Sequence, residues 1–256
     1  MLLVVDIGNT NVVMALHDGT SWVATWRIYS DQKKTSDEYF VIVERMISHG
    51  GFSEKDIHRA VISSVVPNLT RSFQKVIRTL GNIDPLMVSH DCAVSLQRET
   101  IPSELGYDLL ANAVAAHHLY PDQLCMILDF GTALTLTTVT AEGQVLGAAI
   151  APGLVTAVNS LFHNTAQIPQ VQLMLPERAI GTDSDEAIRS GIMYGYAGLV
   201  KELITRSESD VGMKATVIAT GGLSRTIAPL IGRIDHLEPL LTLEGLKVMA
   251  DALLDS

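Results

Sequence analysis

The chain has 256 residues, 47% hydrophobic and 18% charged, a composition that excludes a disordered protein and supplies enough apolar surface for one large core or two modest ones. Its 28 acidic against 18 basic residues leave a net charge of −10, which repels phosphate backbones and argues against nucleic acid as a partner, although a few backbone amides and a metal ion can still hold a nucleotide locally. Cys92 and Cys125 are too few for a disulfide framework or a cysteine zinc site. The opening Met-Leu-Leu-Val-Val-Asp has no basic segment followed by a long apolar one, and no apolar run reaches the roughly 18 residues of a membrane span. A soluble cytoplasmic protein without membrane association is the expectation.

In chain order, the first six residues are an apolar strand ending in Asp6, followed by a turn at Gly8, Asn9 and Thr10 and a second strand over Val12 to Leu16. A third strand is predicted at Trp22 to Ile28. Thr35-Ser36-Asp37-Glu38 has the spacing of a capping box, and the helix behind it places Phe40, Val43, Met46 and Ile47 on one face. A strand at Ala60 to Val65, a helix from Pro67 (a residue suited to a first turn), a short strand near Pro85 to Val88 and a helix over Leu105 to His118 complete this half.

The pattern then restarts. Leu124 to Asp129 is a second apolar strand ending in aspartate, followed by Gly131, Thr132 and Ala133 and by strands at Leu134 to Thr140 and Gln144 to Ile150. Helices are predicted at Leu154 to His163 and Ser184 to Arg206. A strand at Thr216 to Ala219 leads through Thr220-Gly221-Gly222 into another helix, and a last helix runs from Leu243 to Leu254. Each half reads as a three-strand meander followed by alternating helices and strands. The expectation is two similar α/β domains, 1–118 and 119–256, with a nucleotide cleft between them.

An aspartate at a strand end, followed by a glycine turn, suits a phosphate site. Glycine lets the backbone approach the phosphate, the turn amides point at its oxygens, and the aspartate can hold a cation or its hydration water. One such turn is weak evidence, since strand-Asp-Gly hairpins are common. Two at equivalent points of duplicated halves, with a third strand end at Gly221-Gly222 where a nucleoside can lie, are far more specific. This ordered set resembles the actin/Hsp70/sugar-kinase superfamily, whose two domains are ribonuclease H-like.

The match narrows at Asp6-Ile7-Gly8-Asn9-Thr10-Asn11, Ser63-Ser64-Val65-Val66-Pro67, Asp129-Phe130-Gly131-Thr132-Ala133, Ile150-Ala151-Pro152-Gly153, Ala219-Thr220-Gly221-Gly222-Leu223 and Leu241-Thr242-Leu243-Glu244-Gly245-Leu246. In this order and over nearly the whole chain, these segments resemble the type III pantothenate kinases. The resemblance implies transfer of a phosphoryl group from ATP to pantothenate, the first committed step toward coenzyme A, by a homodimer using Mg²⁺ and a monovalent cation, K⁺ or NH₄⁺. It also implies roles for single residues. Asp6, Ile7, Gly8, Asn9, Thr10, Asn11, Val12 and Val13 form the ATP phosphate loop, with Asp6 near metal. Asp129 lies beside the monovalent cation, and Thr132, Gly221 and Gly222 contact the nucleotide. The segment Gly106-Tyr107-Asp108-Leu109 binds the substrate with Asp108 as the general base, and Ser184 also contacts the substrate.

Several positions depart from the family pattern. Leu109 stands where the motif has arginine, Leu134 and Ser184 stand where threonines are usual, and the loop 92–99 is rewritten, with Glu99 where tyrosine is common. Arginine grips a carboxylate and leucine does not. Losing that charge-assisted hydrogen bond costs about 1.5–3 kcal/mol, or about 10- to 150-fold in affinity. Two alternatives therefore stand beside pantothenate phosphorylation: a diverged kinase for another small hydroxyl compound, and a non-catalytic ATP-binding regulator. His117-His118, late in a helix, and the apolar residues of Ile188 to Leu203 read as structural, the latter as core or dimer surface.

Overall fold

A computed structural model describes residues 1–163 and 171–254. The chain divides into two units, one made of residues 1–118 with 241–256 and the other of residues 119–240.

In the first unit, β1 (Leu2–Ile7), β2 (Asn11–His17) and β3 (Trp22–Tyr29) form an antiparallel meander, and β4 (Arg59–Ser64) and β5 (Leu86–Met87) add in parallel, giving the order β3-β2-β1-β4-β5. Alternation along the strands decides which residues face which layer. Leu3, Val5, Ile7, Ala60 and Ile62 join the core with Tyr39, Val43 and Ile47 of α1 (Ser36–His49) and Phe73, Val76 and Ile77 of α2 (Pro67–Gly81). Each fully buried side chain of this size contributes about 1.5–3 kcal/mol. The α1 start is the capping box expected from sequence: Thr35 Oγ1 accepts from Glu38 N, and Thr35 N donates back to the Glu38 carboxylate.

The second unit repeats the arrangement. β6 (Cys125–Phe130), β7 (Ala133–Val139) and β8 (Val145–Pro152) form the meander, β9 (Thr216–Thr220) pairs in parallel with β6, and β10 (His236–Leu237) pairs with β9. The order β8-β7-β6-β9-β10 reproduces that of the first sheet. The helices of this unit are α4 (Leu154–His163), α5 (Ser184–Val211) and α6 (Ser224–Ile231). Helix α5 runs past the expected end at Arg206 because its last turn is neutralised. Glu208, 6% exposed, meets Lys214 at 2.6 Å and Arg233 at 2.6 Å and accepts from Ala215 N, and Gly212, at φ +78°, caps the helix.

The structure departs from the expected domain assignment at the C-terminal end. Helix α7 (Leu241–Leu254) belongs with the first unit, where it packs on β1 and β4. It also crosses α3 (Tyr107–Leu119) so closely that a Cβ on Gly245 would overlap the Ala111 carbonyl. Thr242 Oγ1 donates to the buried Asn112 Oδ1 at 2.8 Å, and Trp22 Nε1 donates to Glu244 at 3.0 Å. An apolar stripe tells that a helix buries one face. It does not tell which sheet receives it.

Candidate functional site

In the first unit, Asp6 is half-buried near the end of β1, and the turn behind it is tied by Gly8 N donating to Asn11 O at 3.0 Å. Asn9 and Thr10 are exposed, while Ile7 and Val12 point into the core. Ser30, just past β3, holds the turn from behind: its N donates to Thr10 O at 2.9 Å and its Oγ to Gly8 O at 2.6 Å. Sequence reasoning missed Ser30, since a lone serine after a strand carries no signal of its own. Behind it, the buried Tyr39 hydroxyl both accepts from Asp31 N and donates to Asp31 O at 2.9 Å. Burial raises the Tyr39 phenol above its usual range, so this support stays neutral.

The same unit carries Gly106, Tyr107, Asp108 and Leu109 at the start of α3. Leu110 N donates to Gly106 O at 2.9 Å, which begins the helix, and Leu109 N donates to Asp108 Oδ1 at 2.9 Å. A Cβ on Gly106 would lie 2.5 Å from Asp108 Oδ1. Glycine is therefore what lets the carboxylate take this position. His90 Nε2 lies 3.0 Å from Leu105 O, and its ring meets Tyr107 edge-on at 5.4 Å. Leu109, at the arginine position, is 7% exposed and packed inward.

In the second unit, three of the expected elements converge. Asp129 is half-buried near the end of β6, and Gly131 N donates to Ala133 O at 3.1 Å across the exposed turn. Gly153 N and Thr156 Oγ1 both donate to Thr132 O, at 3.0 and 2.7 Å. A Cβ on Gly153 would overlap the carbonyls of Gly131 and Thr132. Gly221 sits at φ +88°, where a Cβ would lie 2.6 Å from Asp129 Oδ1 and 2.7 Å from Phe130 N. Its carbonyl accepts from Ser224 Oγ at 2.7 Å, and Gly222 beside it is exposed. Asp129, Thr132 and Gly221 thus form one backbone-lined surface.

Ser184 is the exposed first residue of α5, behind the cap Asp183, whose carboxylate accepts from Glu186 N at 2.8 Å. Glu186 accepts from Thr182 N and pairs with Arg178 at 3.0 Å. Thr182 N first, then Arg178 and the Thr182 hydroxyl, hold its carboxyl down to about 2. An open depression of about 310 Å³ lined by Leu136, Leu146 and Asp210, among others, lies at the β7–β8 edge and contains none of the motif residues.

Among the described residues no group of three or more His, Cys, Asp or Glu could hold a metal, and no helix is long and apolar enough to cross a membrane. A metal carried by a nucleotide does not require such a group, because Mg²⁺ takes one or two carboxylates and fills its shell with phosphate and water.

Comparisons with known proteins show the family. The family model for type III pantothenate kinase matches residues 2–206. A type III pantothenate kinase of Moorella thermoacetica is 39% identical over 250 residues, 97% of this chain and 98% of the relative. One of Acidiphilium cryptum is 42% identical over 252 residues, covering 98% and 94%. Among solved structures, a putative 2-dehydro-3-deoxygalactonokinase of Sinorhizobium meliloti superposes with a TM-score of 0.63 at 10% identity over 99% of each chain. A putative Baf family transcriptional activator of Campylobacter jejuni reaches 0.61 at 18% identity, over 99% and 100%. At these identities the structural likeness speaks to fold alone. The shared fold is the pair of similar α/β units described above.

Proposed function

The chain belongs to the type III pantothenate kinase family, and on that premise we propose that Asp108 is the general base for transfer of a phosphoryl group from ATP to the hydroxyl of pantothenate, a step in coenzyme A synthesis. The observation that carries this reading is the Gly106–Asp108 turn. The Leu109 amide fixes one carboxylate oxygen, and the missing side chain at Gly106 makes room for it. The other oxygen then serves as acceptor for the substrate hydroxyl. Phosphoryl transfer asks little covalent chemistry of a protein. It asks that the nucleophile be oriented and its proton accepted late, a role a positioned carboxylate can fill.

The turn from Asp6 to Val13 presents backbone amides to ATP phosphates. Gly221 and Gly222 offer the nucleotide a surface without side chains, Thr132 contacts it from the exposed turn after β6, and Ser184 offers a hydroxyl to the substrate. Mg²⁺, when bound with the nucleotide, neutralises charge on the transferred phosphoryl group. Asp6 is the residue that would hold it or its water, and Asp129 the one that would hold the monovalent cation, K⁺ or NH₄⁺. A homodimer is part of the same reading. It is supported by α5, where Gly191, Gly195 and Gly198 have open space at the Cβ position beside the exposed Tyr194 and Leu199, a surface on which a second helix can approach closely. A solution mass of one chain would contradict it. The expected compartment is the cytoplasm.

Asp108→Asn tests the assignment. Turnover of ATP with pantothenate should fall by about 10²–10⁴-fold, the usual worth of a general base, while nucleotide affinity stays within about twofold, a difference under half a kcal/mol. Full activity in that variant would sink the role. One observation favours a second reading: Leu109 is buried and apolar where the family carries a cation, as suits a kinase for a less acidic alcohol.

A further inference from the structure

Among the described residues, three buried side-chain oxygens lack any hydrogen-bond partner: Ser63 Oγ, Thr135 Oγ1 and Thr137 Oγ1. A buried hydroxyl without a partner is a standing cost to the fold, and it persists where something outside the chain satisfies it. Two of the three have the same kind of neighbour, an aspartate near the end of a meander's first strand. Ser63 is the register partner of Asp6 across the parallel β1–β4 pair, and Thr135 is the register partner of Asp129 across the antiparallel β6–β7 pair.

Register partners on adjacent strands share a sheet face at about 5 Å between Cα atoms. For Asp6 and Ser63 that face lies opposite Ile7 and Ile62 of the core, and for Asp129 and Thr135 it lies opposite Phe130 and Leu134. Each hydroxyl is nearly or fully buried, Ser63 at 0% and Thr135 at 8% exposed. Each aspartate that ends the first strand of a meander thus has beside it, within its own unit, one buried and unsatisfied hydroxyl. In the first unit it comes from β4 and in the second from β7.

We infer that Ser63 and Thr135 are positioning residues for cation binding, each completing the hydrogen bonds of the aspartate, or of the water, that holds the cation: Mg²⁺ with nucleotide at Asp6, the monovalent cation at Asp129. The hydroxyl donates to the carboxylate or accepts from that water, which fixes the carboxylate rotamer and satisfies the buried oxygen in one step. This rests on the kinase reading above. Thr137 is the internal control. It pairs with Ile127, not with an aspartate, and has no cation to serve.

The test compares Ser63→Ala, Thr135→Val and Thr137→Val with the wild type in two readouts, calorimetric binding of a non-hydrolysable ATP analogue titrated against Mg²⁺ or K⁺, and thermal melting without ligand. The first substitution only removes an atom and the other two keep side-chain shape, so all should fold, with melting equal to or above wild type. Ser63→Ala should raise the Mg²⁺ concentration for half-maximal binding about 3- to 10-fold, one hydrogen bond's worth, and leave the K⁺ dependence alone. Thr135→Val should do the converse, and Thr135→Ser should restore it. Thr137→Val should shift neither. Unmoved cation dependences in both Ser63→Ala and Thr135→Val, or an equal shift in Thr137→Val, would overturn the inference while leaving the kinase reading intact. Wild-type nucleotide binding that ignores both cations, or is unchanged in Asp6→Asn, would overturn the underlying reading instead.

Discussion

The two phosphate-type turns are built on the same plan and closed to different degrees. In both, an aspartate near the end of the first strand precedes a hairpin, and a backbone amide just past the third strand holds the turn, Ser30 N on Thr10 O and Gly153 N on Thr132 O, at 2.9 and 3.0 Å. In the first unit there is room at that point for a side chain, and Ser30 uses it to tie Gly8. In the second there is none: the carbonyls of Gly131 and Thr132 close on Gly153, and Gly221 closes on Asp129 from the other side. The same strand order therefore supports one turn adjusted by side chains and one sealed by backbone. Substitutions should be felt unequally in the two.

The largest effects belong to the sealed turn. Gly221→Ala puts a Cβ into both a left-handed conformation and the Asp129 carboxylate, and Gly153→Ala forces one into two carbonyls. Overpacking and strain of this kind cost about 2–4 kcal/mol, so nucleotide affinity in an equilibrium titration should fall about 30- to 1000-fold. Wild-type affinity in either variant would show that the turn opens without cost. The open turn should tolerate more. Ser30→Ala removes one hydrogen bond worth about 1 kcal/mol, and the affinity loss should stay near fivefold. A loss as large as that of Gly153→Ala would erase the distinction.

The smallest effect concerns the Ser184 segment, which the second unit ties with an ionised carboxylate. The Glu186 carboxyl is held down to about 2. A depressed carboxylate contributes stability that is fully present above its unfolded value, about 4.3, and is lost as pH falls toward about 2. Protection of the Thr182 amide in hydrogen exchange should be flat from pH 7 to 5 and decline below pH 4.5. Its loss at pH 6 would contradict the contact.

Much of this was legible in sequence because the relevant physics is local. A strand-Asp-Gly turn repeated in two halves, the Thr35–Glu38 box and the Gly221-Gly222 strand end each depend on a few consecutive residues. What sequence left hidden depends on distant partners. Helix α7 joins the first unit through Thr242 on Asn112 and Gly245 against Ala111, none of which its own periodicity encodes. Ser30 matters because the hairpin brings Gly8 to it. The end of α5 reads as polar surface until Lys214 and Arg233 surround Glu208. Leu109 reads as a missing arginine, and only the structure adds that the leucine is packed away from solvent.

A chain of this family phosphorylates pantothenate. The most direct measurement is the initial rate of the wild type with ATP, Mg²⁺ and K⁺ on pantothenate and, in parallel, on its uncharged alcohol analogue, with the phosphorylated product identified by mass. Phosphopantothenate should form, with a higher kcat/KM than the product of the analogue. No phosphorylated pantothenate, or a clear preference for the neutral alcohol, would contradict this assignment.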